Sequence, residues 1–358
     1  MNPHCKNRQK HCSPQGSGWI QSRHQNCFIP VTSDHANRGE QKAIEYAGIH
    51  NVSDRIARLI LGSDGFARMP LAQADALLDA YIERGGNAID TARHYGRGVT
   101  EGIIGQWMAK RGVREQIIIV TKGAHHEEET LRRRVTPEDI TNDLLRSLDE
   151  LGVEFIDLLL LHRDDPDVPV DAIVDCLNGH ADAGRIHAYG GSNWSCDRLD
   201  AANAYAERTG RRPFVASSPN LALAAPTTTP WHESITVSGD ATSLAWYRRT
   251  RMPLLSWSAQ ARGFFSGRFA PGQIDDPIVA KFYDNASNWE RMRRVRIAAE
   301  RHNCSPIQIA LAWVLRYPIE SFALFGPLTV SEMDDSIGAI SVALTIEEAE
   351  WLNLERDD

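Results

Sequence analysis

The sequence contains no apolar run long enough to cross a bilayer. Its longest stretches of large aliphatic residues are 117–120 and 158–161, against the roughly 20 residues a membrane helix needs. The first thirty residues are polar and lack the apolar centre of a secretory signal. Cysteine is scarce. Six residues, at positions 5, 12, 27, 176, 196 and 304, fall in no paired spacing, which argues against a disulfide scaffold and fits a reducing cytoplasm. A basic excess is also missing. The net charge is −8 among 358 residues, so nucleic acid is not an expected partner. No G-x-G-x-x-G turn occurs, which removes the usual signature of a doubly wound dinucleotide fold. What remains is a chain of ordinary composition, 42% hydrophobic and 24% charged, as expected of a soluble intracellular enzyme.

Residues 1–43 stand apart. They are rich in His, Asn, Gln, Ser and Lys and show little periodicity; a disordered or loosely ordered extension is expected there. From residue 44 to 358 the pattern is regular. Short apolar runs alternate with amphipathic segments: "LILGS" (59–63), "NAID" (87–90), "IIIVTK" (117–122), "IDLLLLH" (156–162), "AYGGSN" (188–193), "FVASS" (214–218), "PLLSWS" (253–258) and "FALFG" (322–326). Continuous β-rich runs of this kind suit strands buried on both faces. Between them, "PLAQADALLDAYIERGG" sets Leu71, Ala74, Leu77, Leu78 and Tyr81 on one stripe. "TPEDITNDLLRSLDELG" opens with a Thr cap and Pro, and closes on Gly152. Ser305-Pro306 opens another helix in the same way. Eight strand–helix units in series predict a single-domain (β/α)8 barrel. "IEYAGIHNVSDRIARL", ahead of the first unit, predicts a hairpin across the barrel bottom. The stretch 221–242 is too long for a plain connection and reads as a functional loop.

Barrel enzymes work at the C-terminal ends of their strands. Those ends carry Asp90, Lys122, His162, Ser192 with Asn193, Ser217 and Trp257. Any one of them alone has a bland explanation; the set does not. Tyr95 follows Asp90 by five residues. A phenol titrates near pH 10, and an ammonium beside it favours the phenolate, so a Tyr95–Lys122 contact is expected to bring proton exchange towards neutrality. Asp90 would hold Lys122 charged, and His162 would donate to a substrate oxygen. The set has no nucleophile, metal cage or phosphate loop of the Walker type. Proton donation without a nucleophile points to a partner that delivers hydride.

"DTARHYG", "VTKG", "LLLLHRDDP" and "GGSNWS", in that order at successive strand ends, resemble the aldo-keto reductases, and the resemblance covers about residues 44–355. It implies a nicotinamide cofactor, usually NADPH, held without a Rossmann fold. It implies a catalytic tetrad of Asp90, Tyr95, Lys122 and His162, with Tyr95 as general acid in carbonyl reduction. Ser192, Asn193 and Ser217 would meet the nicotinamide amide, Ser217 standing where the family commonly has Gln, and Trp257 would stack on the ring. Ser258, Ala259, Gln260, Arg262, Gly263 and Arg268 would form the pyrophosphate loop. Gly326, Glu332 and Ser336 would lie at the adenosine. In that last segment Leu328, Glu332, Asp334 and Asp335 stand where NADPH-preferring members carry Lys or Arg, so NADH is an expected alternative. Trp194, Trp231, His232 and Phe264 are candidates for the substrate pocket. No metal site is expected: "HHEEE" (125–129) and the His-Cys pairs near the N-terminus fit no ligand spacing, and the former reads as a solvated loop. A catalytically weak barrel that binds nicotinamide for regulation is the alternative function.

Overall fold

The computed structural model describes residues 44–357; the expected N-terminal extension lies outside the described residues. Among the described residues there are ten strands. The first two, β1 (Tyr46–Ile49) and β2 (Ser53–Ala57), pair antiparallel as a hairpin. The other eight are β3 (Leu59–Gly62), β4 (Ala88–Asp90), β5 (Ile118–Gly123), β6 (Ile156–Leu161), β7 (Ile186–Ser192), β8 (Ser217–Ser218), β9 (Leu254–Ser256) and β10 (Ser321–Phe325). They pair in parallel and in chain order, and β10 closes on β3. The expected (β/α)8 barrel is the fold.

Its core has two layers, and strand periodicity explains them. Successive side chains of a strand point to opposite faces. Ile60, Ala88, Ile118, Val120, Leu158, Leu160, Ala188, Phe322 and Leu324 fill the barrel interior, with Ile49 and Ile56 of the hairpin in the same cluster. Their neighbours Leu59, Leu61, Ile89, Ile119, Leu159 and Leu161 join the outer cluster with the surrounding helices. Counting on by two from the interior residues reaches Asp90, Lys122, His162 and Ser192. The same parity that packs the core therefore turns these four polar side chains inward at the barrel's upper end.

The wall is tight where β7 meets β8. A Cβ on Gly190 would lie 2.2 Å from the Ala216 carbonyl oxygen, so the close approach requires glycine. The helix starts read from the sequence are present. Thr136 accepts from the Asp139 amide at the head of the helix Pro137–Leu151, which ends at Gly152. Ser305 and Gln308 form a capping box on the helix Pro306–Arg316. Two details differ from expectation. Leu71 is 52% exposed, because it is the first residue of the helix Leu71–Glu83, where the apolar stripe has run past its neighbours. The strand β8 spans two residues rather than the five of "FVASS", bracketed by Pro213 and Pro219, which donate no ladder hydrogen bond. Among the described residues no helix is long and apolar enough to cross a membrane.

Candidate active site

The loop after β4 is pinned to β5. Thr91 N–H donates to the Val120 carbonyl (2.8 Å) and Arg93 N–H to the Lys122 carbonyl (2.9 Å). The chain then turns at Tyr95, followed by Gly96, Arg97 and Gly98, all at positive φ. This turn brings the phenol back over β5. The Lys122 ammonium donates to Asp90 Oδ1 (2.6 Å), to the Thr91 carbonyl (2.9 Å) and to the Tyr95 hydroxyl (3.3 Å). All three of its hydrogens are used. His162, whose backbone N–H donates to the Gly123 carbonyl at 2.7 Å, sets its ring edge-on to Tyr95 at 5.9 Å between centroids. The four tetrad candidates thus form one contiguous cluster.

Electrostatics fix the protonation states. Asp90 and Lys122 are almost fully buried. Burial works against the Lys122 ammonium, but Asp90 and Tyr95 outweigh it and hold it above its ordinary value. Burial lifts the Asp90 carboxyl, opposed by Lys122. Tyr95 departs from expectation. Burial pushes its phenol up to about 12, and Lys122 only partly offsets that. Lys122 alone would lower the value; desolvation of a phenolate wins. Tyr95 is therefore a firmly protonated donor. His162 is driven well below its ordinary value by burial, then by Arg163 and His125. Its imidazole is neutral, and its Nδ1 is buried without a hydrogen-bond partner among the described residues.

The cluster opens into a cavity of about 810 Å³ that runs to the segment after β10. Ser192, Asn193, Trp257, Ser258, Ala259, Gln260, Arg262, Gly263, Arg268, Gly326, Glu332 and Ser336 all line it, as does Trp231. Ser258, Ala261, Arg262 and Gly263 all have positive φ. Such strain in three non-glycine residues of one short loop is typical of ligand sites, and Gly263 has no Cβ to crowd an approaching group. Gln260 donates to Ser336 (3.1 Å), joining this loop to the last segment. Arg262 already pairs with Asp276 at 3.1 Å. Asn193 is committed too. It donates to the His162 carbonyl and Ser192 Oγ, and its Oδ1 accepts from Ile235 N–H (3.0 Å) and Trp257 Nε1 (3.2 Å). Trp231 stands edge-on to Trp257 at 5.1 Å.

Four expected site residues do not line the cavity. Ser217 is fully buried, and its hydroxyl accepts from Tyr247 of the surrounding helix at 2.9 Å. The side chain thus serves the outer layer. Trp194 is 1% exposed, tilted on Phe214, with Nε1 donating to the Arg163 carbonyl (3.1 Å); it is a buttress under the site. Phe264 is fully buried against Phe265, Tyr283 and Trp289. His232 faces outward and meets the site through His126, edge-on at 5.2 Å.

Other residues enter unforeseen. His94 and His125 line the cavity and stack at 3.7 Å, and His125 meets His162 edge-on at 4.7 Å. The run "HHEEE" is therefore not simply solvated. His126 is buried, while Glu128 and Glu129 remain exposed. Burial, then Arg163, pulls His125 down to about 2. Arg163 also lines the cavity. The available signal was position: His125 and Arg163 each lie two residues past a strand end. Among the described residues no three candidate ligands converge to hold a metal ion.

The sequence model of the family described as the "Aldo/keto reductase family" matches residues 58–353. Three relatives are similar over most of their length. "Aldo-keto reductase str7" of Strobilurus tenacellus is 26% identical, covering 82% of this chain and 87% of its own. "Aldo-keto reductase YhdN" of Bacillus subtilis is 25% identical over 79% and 85%. "Uncharacterized oxidoreductase YrpG" of Bacillus subtilis is 25% identical over 87% and 95%.

Proposed function

The chain belongs to the aldo/keto reductase family, whose members carry out NAD(P)H-dependent oxidoreduction of carbonyls, and from that premise we propose that it reduces an aldehyde or ketone with Tyr95 as general acid. The observation that carries the proposal is the buried chain Asp90–Lys122–Tyr95, with hydrogen bonds of 2.6 and 3.3 Å, ending in a phenol at the cavity. When bound, the nicotinamide cofactor supplies the hydride. Tyr95 gives its proton to the oxygen that becomes the alcohol. Lys122, held cationic by Asp90, stabilises the phenolate left behind. Neutral His162 supplies a dipole and a hydrogen-bonding edge without competing for the proton.

The cavity suits a dinucleotide. Trp257 offers a half-buried ring next to the catalytic cluster, and the loop 258–263, with positive φ at Ser258, Ala261, Arg262 and Gly263, offers backbone to a pyrophosphate. Ser192 and Asn193 meet a carboxamide only by sharing bonds they already make. Ser217, turned outward, has no part in it. At the adenosine end the acids are committed: Glu332 to Leu328 N–H, Asp335 to Ser305 and Gln308, and Asp334 to Arg84. No Lys or Arg occurs in 326–336. Neither a 2′-phosphate nor a free ribose hydroxyl has a dedicated partner there. NADPH, the family's usual choice, and NADH should therefore bind within about tenfold of each other, since only a net difference near 1.4 kcal/mol separates them by that factor. Fluorescence titration with both cofactors, followed by a carbonyl panel, tests this. A preference above a hundredfold either way contradicts the balanced site. Absence of binding by both contradicts the reading as a whole.

A further inference from the structure

One charge at the catalytic end of the cavity has no counterion. Arg163 is 7% exposed and lines the cavity. Its Nε donates to the His232 carbonyl (3.1 Å) and its Nη1 to the His162 carbonyl (2.9 Å). Among the described residues Nη2 has no partner, and no carboxylate lies within ion-pair distance of the guanidinium. The arginines around it differ. Arg133 pairs with Glu233 at 2.6 Å, Arg134 with Asp143 at 2.9 Å and Arg198 with Asp164 at 3.1 Å. Glu233 is the acid nearest in effect to Arg163, but its Oε1 is taken by Arg133 and its Oε2 is buried without a partner.

We propose that Arg163 is an anion subsite beside Tyr95 and His162, and that the preferred carbonyl substrate carries a carboxylate. The proposal deepens the reading of the chain as a carbonyl reductase and rests on it. A buried guanidinium facing a cavity is costly unless an anion completes it. Its unpartnered Nη2 belongs to a planar fork that matches the two oxygens of a carboxylate. The groups packed around it do not compete. His94, His125 and His162 are all held below their ordinary values, so none supplies a second positive charge to share a ligand anion. Lys122 is already compensated by Asp90. One uncompensated positive charge calls for one negative charge, which favours a carboxylate over a phosphate dianion. No chemical step changes: the carboxylate binds, and the carbonyl elsewhere on the same molecule takes the hydride and the proton.

The test compares 3- and 4-carboxybenzaldehyde with their methyl esters, which keep the ring and the carbonyl and lose the charge. The wild-type protein should favour the acid of at least one pair by about tenfold or more in kcat/KM, mainly through KM, as for a hydrogen bond to a charged group. The preference should shrink with added salt. In Arg163→Met the acid-to-ester ratio should fall towards one; Arg163→Lys, which keeps the charge without the fork, should fall between. Benzoate should inhibit the wild-type protein more strongly than benzamide, and this comparison stands even if the Met variant fails to fold. Equal use of acids and esters by the wild-type protein, or a ratio unchanged in Arg163→Met, overturns the subsite. If no carbonyl of either kind is reduced, the reductase reading fails instead. Benzoate and benzamide, titrated against intrinsic tryptophan fluorescence, then decide the subsite alone.

Discussion

At the scale of single residues, the proposed proton device is set by burial as much as by charge. Tyr95 sits 3.3 Å from an ammonium, yet its phenol is pushed up to about 12. A raised acid keeps its proton to higher pH. His162 is a base lowered well below its ordinary value, so it stays neutral to lower pH. Both shifts widen the interval in which donor and dipole coexist. The value of kcat/KM for carbonyl reduction should therefore be flat from about pH 6 to about pH 9. Alcohol oxidation needs the proton acceptor and should rise with pH across that interval. A reduction profile that bends near pH 7 would show that an imidazole titrates in the working enzyme, contrary to this account. Asp90, Lys122 and His162 were legible in the sequence because each ends an apolar run, and Tyr95 because it follows Asp90 by five residues in the motif DTARHYG. The direction of the Tyr95 shift was not, since it depends on how much protein surrounds the phenol.

At the scale of elements, the period of two is the link between packing and chemistry. Interior Val120 and Leu160 predict inward Lys122 and His162, and the structure follows that count through β4, β5, β6 and β7. Helix starts were legible for the same local reason: Thr136-Pro137 and Ser305-Pro306 carry their caps within four residues. Contacts made across the barrel wall were not. Whether Ser217 faces the cavity or Tyr247, and whether Trp194 lines a pocket or supports Arg163, depends on residues 30 and 31 positions away. The β7–β8 wall offers a sharp test of the element scale. Gly190→Ala places a methyl 2.2 Å from the Ala216 carbonyl oxygen and 2.8 Å from Leu160. Such overpacking costs about 1–3 kcal/mol, and more where backbone is the obstacle. It should also shift Ser192 and weaken cofactor binding. Denaturant unfolding with cofactor titration measures both. A variant within about 0.5 kcal/mol of wild type would show that the wall yields more easily than the contact implies.

At the scale of the molecule, a closed barrel gathers side chains from remote parts of the chain into one cavity, and the long loop after β8 adds Trp231 to its rim. The architecture was legible because eight similar units repeat. The substrate end was less so, because His94, His125 and Arg163 meet only when three separate strand ends converge. The central claim is that Tyr95 donates the proton while the rest of the site binds the cofactor. Tyr95→Phe tests it most directly, by cofactor titration and carbonyl-dependent cofactor oxidation measured on the same sample. The variant should bind the nicotinamide cofactor within about threefold of wild type, a difference under 1 kcal/mol. It should lose about 10²- to 10⁴-fold in carbonyl reduction. Equal rates of carbonyl-dependent oxidation in wild type and variant would contradict the claim.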